Sequence, residues 1–174
     1  LAYLDGKFYQ VTWKNELGFI YDANTFEELG SFSYQGEGWG LASDGANLIR
    51  SDGSSRLYWH KPDTFELVKT LEVRQDGRPV LGLNELEYIN GEAYANVFLT
   101  DTILRIDPET GEVKTVIDAS ALRPEETKAD LNSVLNGIAW DEESKTLYLT
   151  GKYWPFVYQA RIVDGPKPVT TKQP

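Results

Sequence analysis

Four times along the chain an apolar strand runs into a polar turn and returns as a second apolar strand. The segments read "LAYLDGKFYQVTW", "LASDGANLIRSD", "LEYINGEAYANVF" and "IAWDEESKTLYLTGK". Alternation with a period of two marks half-buried strands. Asp-Gly and Asn-Gly between such runs are strong hairpin signals, because both tolerate positive φ. In the first three segments a third strand follows and closes on "DANTFEEL", "KPDTFELV" or "DPETGEVK". From Asp5 to Thr25, Asp44 to Thr64 and Asn90 to Thr110 the distance is 20 residues each time. From each of these threonines to the next turn marker it is 19, 26 and 31 residues. The hairpin and third strand therefore have a fixed length, and the variation falls in the stretch that leads to the next unit.

Four-stranded units of about 40 residues, rich in aromatics and closed by polar turns, predict an all-β chain built from β-propeller blades. The repeats fall at approximately 1–34, 39–73, 84–117 and 135–163. A β-sandwich with strands of similar length is the competing architecture. No long helix is expected beyond a turn or two in "RPEETKADLNSV", residues 123–134. The tail at 164–174, "DGPKPVTTKQP", has almost no apolar content and reads as a disordered end or linker.

Superposing the repeats points to one face. In an antiparallel hairpin, the start of the first strand and the end of the second lie together. The residue two before the first apolar position is Trp39, Asn84 or Asn136. The residue eight beyond the turn marker is Trp13, Asp52 or Phe98, and aligning Leu147 with Phe8 puts Lys152 in the same place. All seven are expected at one end of the propeller, near its central channel. The insertions at 74–80 and 118–134 feed that end and can wall a pocket there. An aromatic lining with a few polar groups is the usual make-up of a small-molecule site. Each member also has a plainer reading. Trp13 and Trp39 can be core packing, Asn84 and Asn136 loop caps, Asp52 in "RSDGSS" a turn former, and Lys152 a solvated strand-end charge.

Composition narrows the partners. The chain has 174 residues, enough for one domain that buries about two-thirds of its extended surface. No apolar run approaches the ~18 residues of a membrane span. A net charge of -10 would repel a phosphate backbone, so nucleic acid is not an expected partner, whereas a cationic ligand such as a peptide amine is weakly favoured. The absence of cysteine excludes disulfides, thiolate nucleophiles and Cys-ligated zinc. The single histidine, His60, leaves no His-rich metal site and is expected at the surface. The chain starts at Leu1 and holds no methionine, so its original N-terminus is expected to be missing, with no leader to read.

Six stretches, "FYQVTW" at 8–13, "GWGLASDG" at 38–45, "LNELEYINGEAYAN" at 83–96, "RIDPETG" at 105–111, "VLNGIAWD" at 134–141 and "TGKYWP" at 150–155, occur in the order found in a known family. They resemble the plant and bacterial type of glutaminyl-peptide cyclotransferase, over residues 1 to about 163. The resemblance implies a five-bladed β-propeller of which this chain carries about four blades. It implies an acyltransferase that converts the N-terminal glutamine of a peptide or protein to pyroglutamate and releases ammonia, without metal or organic cofactor. It assigns Lys152 to catalysis and Trp13, Trp39, Asn84 and the Phe98 position to the substrate site, to which the superposition adds Asn136. Phe98 departs from the family, which usually has tryptophan there, so an aromatic wall remains but an indole donor is lost. The family's general acid/base, a glutamate in a Phe-Gly-Glu-Gly motif, would precede Leu1. The chain therefore resembles the C-terminal two-thirds of such an enzyme, and a further chain supplying the missing blade is one expected partner. By resemblance alone, a periplasmic or secreted location is expected. The rival reading from another class is a non-catalytic propeller that binds a peptide end or a sugar. A metal-dependent lactonase would need clustered carboxylates, and of the seven residues only Asp52 is acidic.

Overall fold

A computed structural model describes residues 1–163. The tail at 164–174 lies outside the described residues. The first sheet contains β1 (Ala2–Leu4), β2 (Lys7–Val11), β3 (Leu17–Asp22) and β4 (Glu28–Ser33). The second contains β5 (Leu41–Ser43), β6 (Leu48–Ser51), β7 (Arg56–His60) and β8 (Leu67–Glu72). A two-stranded ribbon, β9 (Arg74–Gln75) and β10 (Arg78–Pro79), precedes the third sheet. That sheet holds β11 (Leu83–Ile89), β12 (Glu92–Val97), β13 (Thr102–Ile106) and β14 (Val113–Asp118). The fourth shows β15 (Leu135–Asp141), β16 (Thr146–Gly151) and β17 (Tyr158–Ala160). Every sheet is an antiparallel meander in chain order, and the opening strands β1, β5, β11 and β15 adjoin one another in that order. This is a ring of four blades with the first strand of each innermost.

Local chemistry sets the turns. Leu4 pairs with Lys7 and Ile89 with Glu92, leaving two-residue loops at Asp5-Gly6 and Asn90-Gly91. All four of those residues have positive φ, as a type I′ turn demands. The second hairpin differs: Ser43 pairs with Leu48, and the Asp44 carboxylate accepts the Ala46 and Asn47 N–H groups across a four-residue loop. The turns that close the third strands are alike. Asp22 and Asp107 each accept two backbone N–H groups, from Asn24 and Thr25 and from Glu109 and Thr110.

The buried side chains form three clusters in series, each between neighbouring sheets. Strands β5 and β6 show why: Leu41 and Leu48 pack toward the first sheet, while Ala42 and Ile49 pack toward the third. In β12, Ala93 and Ala95 join the same cluster as Ile49, whereas Tyr94 joins Leu135 and Leu149 of the fourth sheet. A sandwich has one core between two sheets; serial cores exclude it. Each fully buried leucine or isoleucine contributes about 1.5–3 kcal/mol.

Two expectations are corrected in detail. His60 is not at the surface: it is 3% exposed, with its ring stacked 4.2 Å from Phe65 and Nδ1 placed 2.9 Å from the Phe65 carbonyl. The turn after β7 folds back and lays Phe65 over the histidine, which period-two reading of "RLYWHKP" could not show. The helical content at 119–134 is two short 3₁₀ turns, Ser120–Leu122 and Glu125–Thr127, so one of them begins ahead of the predicted stretch.

Candidate active site

Four sheets meet at one cluster. Beyond β2 the chain runs to Trp13, whose carbonyl accepts the Gly38 N–H at 3.0 Å, drawing the entry of the second sheet against the exit of the first. One carboxylate oxygen, Glu37 Oε2, then accepts two indole N–H groups, from Trp13 at 2.6 Å and from Trp39 at 2.7 Å. The Trp39 ring meets Phe98 edge to face, with centroids 5.2 Å apart and planes at 77°. Phe98 enters from the third sheet, its N–H donating to the Gly82 carbonyl at 2.8 Å. From the fourth, the Lys152 ammonium lies 5.9 Å from the Phe98 centroid, within cation–π range, while its backbone N–H is fixed to the Val134 carbonyl at 2.9 Å. Trp13, Glu37, Trp39, Phe98 and Lys152 form one continuous set.

The ring of Trp39 has its seat at Gly53. That glycine adopts φ +81°, and a methyl carbon on it would stand 2.6 Å from the indole. Trp13 is 59% exposed, so it is not core packing. Its outer face carries the Lys14 ammonium at 4.1 Å from the ring centroid. The two indole donors, Trp39 ahead of Trp13, hold the Glu37 carboxyl below its ordinary range, so it is anionic at neutral pH. Behind it, buried Arg50 is sandwiched between Tyr34 and Tyr58, at 4.9 and 4.7 Å, and donates to the carbonyls of Glu37 and Gln35. The segment that presents Glu37 and Trp39 is thereby pinned from beneath.

Of the other residues singled out in the sequence, Asn84 and Asn136 lie at seams between sheets and Asp52 lies in a turn of the second. Asn84 is buried in β11, and its backbone carbonyl accepts the Ser51 hydroxyl of the second sheet at 2.6 Å. Asn136 Oδ1 accepts the Glu85 N–H at 3.4 Å, a brace from the fourth sheet to the third. Asp52 is a turn former, accepting from Ser54 and, at 2.8 Å, from the Tyr58 hydroxyl. Of the two connectors, 119–134 reaches the site, with Val134 and Ser133 carbonyls under Lys152 and Trp154. The ribbon at 74–79 is instead tied to the Gly111 carbonyl at 2.9 Å. A separate cleft lined by Ile89, Tyr94, Trp140 and Leu147 includes no residue of the aromatic set.

Sequence reasoning missed Glu37, which reads as one more polar residue in "SYQGEGWG". It also missed Asn96, fully buried, whose Oδ1 accepts the Gly137 N–H at 3.1 Å. Two carboxylates on the inner strand β11 are perturbed. Burial pushes Glu85 up to about 7, with the Leu1 ammonium opposing and Glu87 adding to the rise. Burial also raises Glu87.

Antiparallel meanders set around an axis, each with its opening strand inside, define a β-propeller, here with a polar-aromatic centre at one end. Within that class the chain belongs to the glutamine cyclotransferase family, whose model matches residues 1–162. It is 42% identical over 165 residues to the glutaminyl-peptide cyclotransferase of Arabidopsis thaliana, covering 93% of this chain and 52% of that protein. The chain thus spans about half the length of this curated relative. A crystal structure of Myxococcus xanthus glutaminyl cyclase superposes with a TM-score of 0.88 at 41% identity, over 94% of this chain and 72% of that one. The designed Ika4 protein, at 13% identity and a TM-score of 0.54, covers 94% of this chain and 89% of its own and shows the fold alone.

Proposed function

We propose that this chain carries part of the active centre of a glutaminyl-peptide cyclotransferase, acting on peptides or proteins with an N-terminal glutamine. Family membership supports the reading, and the observation that carries it is the Lys152 ammonium set against an aromatic wall drawn from the other sheets.

The reaction joins two groups of one residue. The neutral α-amine attacks the side-chain amide carbon, the carbonyl oxygen becomes negative, the C–N bond breaks, and ammonia leaves after taking a proton. Because nucleophile and electrophile are already linked, orientation is the enzyme's main task. Trp13, Trp39 and Phe98 hold the short side chain, exclude water and offer ring faces to the amine before it loses its proton. Lys152 supplies positive charge to the developing oxyanion, an effect on the order of 3 kcal/mol for one well-placed donor. The Asn84 side chain holds the substrate's amide or backbone by hydrogen bonds, and Asn136 braces the third sheet against the fourth. The proton carrier implied by the family resemblance is the glutamate of its Phe-Gly-Glu-Gly motif, a motif that these 174 residues do not contain.

The test is ammonia release from a glutamine-terminated peptide by the intact natural polypeptide. Stoichiometric ammonia and pyroglutamyl product are expected. Saturable binding without turnover would replace this reading with a binding propeller.

A further inference from the structure

Glu37 has no role in the chemistry described so far, yet it is the point where the site is joined. Its Oε2 takes both indole N–H groups at 2.6 and 2.7 Å, so the two indole nitrogens lie within two hydrogen-bond lengths of each other. The two tryptophans come from different sheets and have no sequence-local reason to keep a fixed angle. Trp13 is largely exposed and would turn freely about its side-chain bonds without this contact. Trp39 is steadied on its other side by Gly53 and Phe98, so the carboxylate transmits that rigidity to Trp13. A hydrogen bond from N–H to an anion also moves electron density into the indole ring, which strengthens its pull on a cation. The Lys14 ammonium already resting 4.1 Å from the Trp13 centroid shows that the ring takes an alkylammonium group.

We propose that Glu37 is a positioning residue of this site: its carboxylate clamps Trp13 and Trp39 into a single wall that receives the terminal ammonium group of the bound peptide. The clamp needs an acceptor oxygen at this place, and the negative charge reinforces it. The inference rests on the cyclotransferase reading for the identity of the ligand, not for the existence of the clamp.

The experiment compares wild type, Glu37→Ala and Glu37→Gln in the intact natural polypeptide. Indole N–H resonances are read by NMR on ¹⁵N-tryptophan-labelled protein. Affinity is read with a norvaline-terminated dipeptide amide, which keeps the free amine and apolar stem but has no side-chain carbonyl. In Glu37→Ala two indole resonances should move upfield, Kd for the probe should rise about tenfold, and KM for a glutaminyl peptide should rise with it while kcat changes less than threefold. Glu37→Gln, which keeps an acceptor oxygen, should recover most of the affinity. Unmoved resonances, an unchanged Kd in Glu37→Ala, or a glutamine variant as weak as the alanine one would each overturn the clamp. Absence of turnover in wild type with the resonance and Kd shifts intact would sink the cyclotransferase reading and leave the clamp standing.

Discussion

A lone ammonium at a strand end is normally solvated, and Lys152 is itself exposed. What singles it out is its neighbour: Phe98 presents a ring face at 5.9 Å. Lys152→Ala should therefore lower kcat by about 100-fold, if one oxyanion donor is lost, and raise KM much less. An unchanged kcat in a steady-state assay would take Lys152 out of the chemistry. Buried His60 and half-buried Glu85 make a second residue-scale prediction, and their signs oppose. His60 is held down to about 4, first by burial, so it contributes stability that is lost as pH falls from 6.5 toward 4. Glu85 is raised to about 7, so its contribution is lost as pH rises from about 4.5 to 7. Each effect is on the order of 1–3 kcal/mol. The wild-type stability curve should then be shallow across that interval. Glu85→Gln removes one slope, and its stability relative to wild type should grow steadily from pH 5 to 7.5 in thermal melts. A pH-independent difference would show that Glu85 ionises as it does in water. None of this was legible from residue type, because burial of His60 and Glu85 is decided by what folds over them.

At the scale of elements, the turns were legible because their causes are local. Asp5-Gly6 and Asn90-Gly91 carry their own signal, and the 20-residue spacing holds because the shorter strand β6 follows a longer loop than β2 and β12 do. The corner that gathers Trp13, Trp39, Phe98 and Lys152 could be found by superposing repeats, since equivalent strand ends occupy equivalent places in a ring. Glu37 could not, because its role exists only when two indoles from separate sheets meet it. The insertion at 74–80 was visible as extra length, but not where it packs, because Arg74 is anchored to Gly111, more than thirty residues away in the sequence. Gly53 links element to site. Gly53→Ala would add about 1–2 kcal/mol of backbone strain at its positive φ, and its methyl group would press on the Trp39 ring. Loss of stability and a higher KM should appear together. A variant with normal Tm and KM would show that the Trp39 seat is not shaped by that glycine.

For the whole molecule, the serial cores set the behaviour. Each sheet is covered by its neighbours, and among the exposed apolar side chains are Tyr3, Phe26 and Leu29 on the first sheet and Phe156, Val157 and Ile162 beside the fourth, with Leu67, Val68 and Val116 exposed on the two between. Apolar patches of this kind drive association. A preparation of these 174 residues alone should self-associate, with the sedimentation coefficient rising with concentration and falling when Tyr3 and Phe26 are replaced by polar residues. A single species at the monomer mass over the whole range would count against it. The net charge of -10 works in the opposite direction, so association should strengthen as salt is added.

The hydrogen bonds from Ser51 to Asn84, Glu85 to Asn136 and Gly137 to Asn96 do more than staple adjacent blades. They lie beside the residues that bring the aromatic faces to a common corner, Ser51 also accepting the Trp39 backbone N–H, so the spacing of the wall follows how tightly the blades are drawn together. Heat or a distant substitution that parts any two blades by a fraction of an ångström widens the ligand's berth at once. Inactivation on warming is thus expected to run ahead of the loss of strand structure, with the seams as the fuse.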